Sequence, residues 1–131
     1  EDDSALRGTE TLLLVEDEAA VREVNRRALA RLGYCVLVAG SGPEALPLWQ
    51  AHQTDIRLLV TDMVMPGGMS GLELAQRLRQ DRPELRVIYS SGYSPELFAG
   101  KVELHPGLNY LPKPYSLVAL GKAVRAALDE K

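Results

Sequence analysis

Acidic, hydroxylic and basic side chains stand where short apolar runs stop. Glu16, Asp17 and Glu18 follow the run Thr11–Val15, and Asp62 follows Arg57–Thr61. Ser90 and Ser91 follow Arg86–Tyr89, and Lys113 lies just beyond Leu108–Leu111. If these runs are parallel strands, their carboxyl ends share one crevice, where open α/β sheets bind ligands. Glu16, Asp17 and Asp62 would then crowd together and repel. A bound cation relieves that repulsion, and hard oxygen donors with few protein ligands suit Mg²⁺. Lys113 adds a fixed positive charge able to contact a transferred phosphoryl group. Ser91, ahead of Gly92, offers a hydroxyl donor and is preferred over its neighbour Ser90. A carboxylate nucleophile with a metal, a lysine and a hydroxyl is the equipment for forming an aspartyl phosphate.

The elements that must position these groups alternate. Predicted strands are Thr11–Val15, Cys35–Val38, Arg57–Thr61, Arg86–Tyr89 and Leu108–Leu111. Val21, Val24, Ala28 and Leu32 recur at spacings of three and four, which predicts a helix with these side chains on one face. Gly33 is placed to end that helix. A second helix starts at Pro43 and carries Ala45, Leu46 and Trp49, with Pro47 ill at ease inside it. Leu72, Ala75 and Leu78 mark a third; Leu117, Leu120, Val124 and Leu128 mark the last. Between Pro95 and Gly107 the pattern gives only a short helix and a broken loop. Five strand-then-helix units imply a parallel sheet with helices on both faces. The strands are short and nearly all apolar, as strands buried on both faces are. Residues 1–10 are polar and aperiodic and are read as a linker remnant, with one domain over 11–131.

Composition narrows the class of function. The chain has 131 residues, of which 46% are hydrophobic and 25% charged, as in ordinary globular domains. Fifteen Lys and Arg against eighteen Asp and Glu give a formal charge of -3, which argues against a nucleic-acid partner. No apolar run approaches the roughly 18 residues of a membrane span. Cys35 is the sole cysteine, so no internal disulfide forms. These features lead us to expect a cytoplasmic domain without membrane contact of its own; a membrane anchor elsewhere in a full-length protein stays open.

The motifs together resemble the receiver domain of two-component response regulators. Leu13-Leu14-Val15-Glu16-Asp17-Glu18 is similar to that family's acidic-pair segment, with Glu-Asp in place of Asp-Asp. Val60-Thr61-Asp62-Met63-Val64-Met65-Pro66 resembles the phosphoacceptor segment, Ser91-Gly92 the Ser/Thr–small pair, and Lys113-Pro114 the Lys-Pro pair. Tyr110 stands where the family has its switch aromatic. The resemblance implies a flavodoxin-like (βα)5 three-layer sandwich with a parallel sheet in the order 2-1-3-4-5. It implies phosphorylation of Asp62 by a histidine kinase or a histidine phosphotransfer domain. It further implies Mg²⁺ (or Mn²⁺) on Asp17, Asp62 and the Val64 carbonyl, with Glu16 acting through water. Lys113 and Ser91 would hold the phosphoryl group, and the Lys113-Pro114 peptide would be cis. As the switch, Ser91 would be drawn in while Tyr110 repacks inward. The long loop Pro66–Gly71, Ser91-Gly92-Tyr93-Ser94 and the irregular stretch before Tyr110 resemble receivers fused to hybrid sensor histidine kinases. On this reading the domain is no enzyme by itself, although it assists its own phosphorylation and dephosphorylation, and a full-length protein could be a histidine kinase. Homodimerisation stays open.

The plainer readings differ residue by residue. Glu18 is a first-turn helix acid. Tyr110 alone would be a core aromatic, and Trp49 packs. Cys35 is a small core residue, and His52 and His105 belong to the surface. The rival from another class is a Mg²⁺-dependent phosphatase with an aspartate nucleophile. It needs a second acid two residues after that aspartate to protonate the leaving group, and Val64 cannot serve. A flavin module would want a phosphate-cradling loop after the first strand, where this chain has acids. A pseudo-receiver would lack site residues, and none is missing.

Overall fold

The computed structural model describes residues 4–65, 67–92, 100, 102–106 and 109–130. Strands β1 (Thr11–Val15), β2 (Cys35–Ala39), β3 (Ile56–Asp62), β4 (Arg86–Ser91) and β5 (Tyr110–Pro112) pair in parallel in the order β2-β1-β3-β4-β5. Helices α1 (Ala19–Arg31), α2 (Gly42–His52), α3 (Gly71–Asp81) and α4 (Leu117–Asp129) cover the two faces. This is the expected flavodoxin-like order. The short helix expected after Pro95 falls largely outside the described residues.

Alternation along the strands builds both halves of the core. Leu13, Val15 and Leu59 face one side, with Trp49 of α2 and Leu74 and Leu78 of α3. Leu12, Leu14, Leu58 and Val60 face the other, with Leu29 of α1 and Leu120 and Val124 of α4. Each such fully buried leucine contributes roughly 1.5–3 kcal/mol. The helices begin at definite caps. Ser70 and Glu73 form a reciprocal capping box at α3, while Ser41 and Ser116 accept from Glu44 N and Ala119 N at the starts of α2 and α4. Gly33 follows α1 with φ of 105°, the left-handed conformation expected at a helix end. No helix among the described residues is long and apolar enough to cross a membrane.

Several expectations shift. Of the stripe Val21, Val24, Ala28 and Leu32 on α1, Leu32 alone is in the buried core. Asn25 and Leu29 point inward with Leu32, whereas Val24 is 52% exposed. Apolar spacing marks a stripe but does not say which way it turns, and the outer stripe here belongs to a groove described below. Helix α2 runs through Pro47, which is exposed and forfeits one backbone bond near the first turn. Strand β3 starts one residue earlier and includes Asp62. Strand β5 reaches Pro112; Leu108, its expected start, lies outside the described residues.

The leader is docked as far as it is described. Ser4–Leu6 forms a 3₁₀ turn, Tyr34 OH donates to Leu6 O at 2.9 Å, and Gly8 N donates to Leu32 O at 3.0 Å. Arg125 of α4 clasps Glu10 at 2.8 Å and the carbonyl of Arg7 at 3.0 Å. That guanidinium holds the Glu10 carboxyl below its ordinary range.

Candidate functional site

Strand pairing gathers the polar residues at one edge. Asp62 lies directly opposite Ser90, while Met63 N donates to Ser90 O at 2.8 Å and Lys113 N to Ser91 O at 2.9 Å. Strand β4 thus ties the Asp62 loop to the Lys113 loop through two successive carbonyls. On the other side of β3, Glu16 leaves β1 and accepts from Glu18 N through Oε2 at 3.1 Å. Arg22 in the first turn of α1 donates to the Glu16 carbonyl at 2.8 Å. Gly71 lets α3 begin against this edge: its N–H donates to Met63 O at 2.9 Å, and a Cβ there would lie 1.8 Å from Asp62 O.

One ammonium serves two buried acids. Lys113 Nζ is 2.9 Å from Glu16 Oε1 and 2.9 Å from Asp62 Oδ1. Oxygens of Glu16, Asp17 and Asp62 all lie within 4.8 Å of one another. Burial above all, with Glu16 and Asp17 adding to it, pushes the Asp62 carboxyl up to about 7 against the pull of Lys113. Lys113 moves upward as well: burial opposes its charge, but the bonds to Asp62 and Glu16 prevail. These two directions are compatible, because the three clustered acids outnumber the one cation and a proton on one acid relieves the remainder. A hard divalent cation relieves it too, and an all-oxygen donor set of this kind fits Mg²⁺ or Mn²⁺.

The predicted residues fall as follows. Glu16, Asp17, Asp62 and Lys113 converge. Ser91 is buried beside them at 3% exposure, but the hydroxyl that donates to Asp62 Oδ1, at 3.3 Å, is that of Ser90. Val64 projects outward, 51% exposed. Tyr110 is already buried in the core rather than waiting to repack inward. Lys113-Pro114 is cis. Tyr93 and Pro66 lie outside the described residues. Glu18 offers only its backbone to the cluster. Cys35 is exposed, not a core residue.

Two further residues had no signal in the sequence. Asn25, buried in α1, donates from Nδ2 to Tyr115 OH at 2.9 Å. Tyr115 follows Lys113 by two positions, and burial, foremost, pushes its phenol up. Beside them an apolar groove of about 710 Å³ runs between α1 and the 113–117 segment, lined in part by Val21, Val24, Pro114 and Leu117.

Known proteins share this fold. The family model for the response regulator receiver domain matches residues 12–125. The chain is 40% identical over 126 residues to the sensor kinase CckA of Brucella abortus (strain 2308), covering 96% of this chain and 13% of that protein. It is 39% identical over 120 residues to the DNA-binding transcriptional regulator NtrC of Azospirillum brasilense, covering 91% of this chain and 24% of that one. The chain therefore spans a quarter or less of either relative. Among solved structures, the receiver domain of the hybrid histidine kinase CckA matches with a TM-score of 0.76 at 35% identity, over 91% of this chain and 99% of that one. A receiver domain protein from Clostridium thermocellum matches with a TM-score of 0.80 at 26% identity, over 92% and 94%. With a matching fold, a convergent acidic edge and these relatives, the chain belongs to the response regulator receiver domain family of two-component signalling.

Proposed function

We propose that Asp62 is the phosphoacceptor of this receiver. The observation that carries the reading is Lys113 Nζ at 2.9–3.0 Å from both Asp62 oxygens, with Glu16 and Asp17 alongside. A carboxylate oxygen of Asp62 attacks the phosphorus of a phosphohistidine. The P–N bond breaks, and the imidazole leaves with a proton from solvent. Lys113 then turns its charge to the phosphoryl oxygens, and Ser91 donates its hydroxyl to one of them. Mg²⁺ (or Mn²⁺) would be held by Asp17, Asp62 and the Val64 carbonyl, with Glu16 through water, and supplies charge neutralisation at the phosphoryl oxygens. The switch is assigned to Ser91 and Tyr110. Because Tyr110 is already inward, phosphorylation acts on the Ser91 side and selects a packing the aromatic has adopted.

The donor is a histidine kinase or a histidine phosphotransfer domain, docking its phosphohistidine-bearing helix on the groove beside Lys113. Val24 and Leu117, each about half exposed, give that surface its apolar character. Residues 11–131 form the domain, and the chain is a receiver of a cytoplasmic hybrid histidine kinase. The phosphatase alternative is disfavoured by Val64, an exposed apolar side chain where an acid would be required.

The test is incubation with acetyl phosphate and Mg²⁺ followed by mapping of the modified residue by mass spectrometry. One phosphoryl group on Asp62 is expected, and none on the Asp62→Asn variant. Equal modification of that variant would move the acceptor elsewhere.

A further inference from the structure

Helix α1 wears two residues the wrong way round for a simple amphipathic helix. Val24 is 52% exposed and Asn25 is 3% exposed. An asparagine inside a helix is mediocre for the backbone, and burying its amide costs free energy unless it is bonded. The amide meets one specific partner, Tyr115 OH, across 90 positions of sequence at 2.9 Å. An apolar pair would fill the same space without a polar group to satisfy, so packing alone gives no reason for this one.

The partner is placed two residues after the ammonium that serves Asp62. The segment from Lys113 to Ser116 leaves β5 and enters α4. Its backbone is held at the start by Lys113 N on Ser91 O, and at the end by the Ser116 cap on Ala119 N. Between those points, the Tyr115 side chain reaches sideways to α1. That helix starts directly after Glu16, Asp17 and Glu18. The bond from Asn25 to Tyr115 therefore spans the two loops that carry the acids and the lysine.

We propose that Asn25 and Tyr115 are positioning residues that hold the Lys113 loop against α1, so that the ammonium stays registered on Glu16 and Asp62. The inference rests on Asp62 as the phosphoacceptor. On this proposal both act through Lys113 and not on the phosphoryl group itself. Both line the groove next to Lys113, so the tether also joins that surface to the ammonium.

The test uses Tyr115→Phe, Asn25→Ala and the double variant in the full chain. Tyr115→Phe keeps the ring and removes only the hydroxyl. Initial rates of phosphorylation are measured against acetyl phosphate concentration with Mg²⁺ present. Each single variant should lower the maximal rate about fivefold, the scale of one neutral hydrogen bond. The half-saturating concentration should change little. The double variant should be no slower than the slower single, because both remove the same bond. A purely structural role would lower the melting temperature and leave these rates alone. A wild-type rate in Tyr115→Phe, or rates that multiply in the double variant, overturns the proposal. If Asn25→Ala fails to fold, Tyr115→Phe decides alone. A second readout needs no phosphate: the Lys113 and Asp62 amide resonances of the resting domain should move in Tyr115→Phe, and unmoved resonances overturn the tether. Should wild type take no phosphate at Asp62, the acceptor assignment fails, while the resting resonances still judge the tether.

Discussion

Ser90 Oγ donates to Asp62 Oδ1 across 3.3 Å, from the position directly paired with Asp62 on the neighbouring strand. The two adjacent serines therefore divide their work. Ser90 orients the resting carboxylate, and on the proposed reading Ser91 serves the phosphoryl group. Ser90→Ala should slow phosphorylation by acetyl phosphate two- to tenfold, for a loss of roughly 0.5–1.5 kcal/mol. It should leave the hydrolysis rate of the formed aspartyl phosphate nearly unchanged. Ser91→Ala should instead weaken binding of beryllofluoride. Reversed behaviour of the two variants, followed by phosphorylation kinetics and fluoride titration, would exchange their roles.

Metal binding should depend on Asp17 and not on Glu18. Asp17 contributes one of three clustered carboxylates, whereas Glu18 supplies only a backbone N–H. Asp17→Ala should weaken Mg²⁺ on the order of tenfold or more. Glu18→Ala should stay near wild type. Amide shifts during a Mg²⁺ titration measure both, and equal affinity in wild type and Asp17→Ala would remove Asp17 from the ligand set.

The aspartyl phosphate should be long-lived. Hydrolysis needs water aligned behind phosphorus, opposite the leaving carboxylate. Val64 stands at the mouth, 51% exposed, with no group to orient that water. Val64→Asn should speed loss of phosphate roughly tenfold, equivalent to about 1.4 kcal/mol off the barrier. The measurement is phosphate release after donor removal with Mg²⁺ present. An unchanged rate would shift attention to the Gly67-Gly68 loop.

Without metal, stability should fall as pH rises from about 4 to about 7. Asp62 binds its proton more tightly folded, at about 7, than its ordinary value of 3.8. The folded state therefore holds more protons in that window. The contribution is full below the unfolded value and is lost as pH passes through the folded one. Asp62→Asn should flatten that slope, and saturating Mg²⁺ should reverse it by favouring the ionised carboxylate. Denaturant midpoints at several pH values decide this. A slope of equal size in Asp62→Asn would assign it to another group.

The sheet and the acidic edge were legible because they depend on local patterns. Largely apolar runs of four or five residues mark the strands, and polar residues just past them must meet at one edge. What escaped depended on rotation and side-chain reach. The spacing of Val21, Val24, Ala28 and Leu32 describes an apolar stripe, yet α1 is turned so that Asn25 and Leu29 face the sheet. Nothing near Asn25 in sequence hints at Tyr115, since the bond crosses the whole domain. The bond from Ser90 to Asp62 depends on strand register, which places the two residues opposite each other. Cys35 was read as core because small thiols usually are, but it opens the edge strand β2 and faces outward.

Gly71 has no contact with any ligand, yet it sets the terms for redesigning the loop in front of it. A side chain there would run into the carbonyl oxygen of Asp62, which is backbone and cannot swing aside. Gly68 would meet nothing within 4 Å, and there it is the left-handed backbone, φ 84°, that favours glycine. A recognition sequence grafted ahead of Ser70 must therefore hand the chain back on a glycine at position 71. A library that randomises the segment and includes position 71 would spend most of its diversity on chains whose acceptor strand no longer closes.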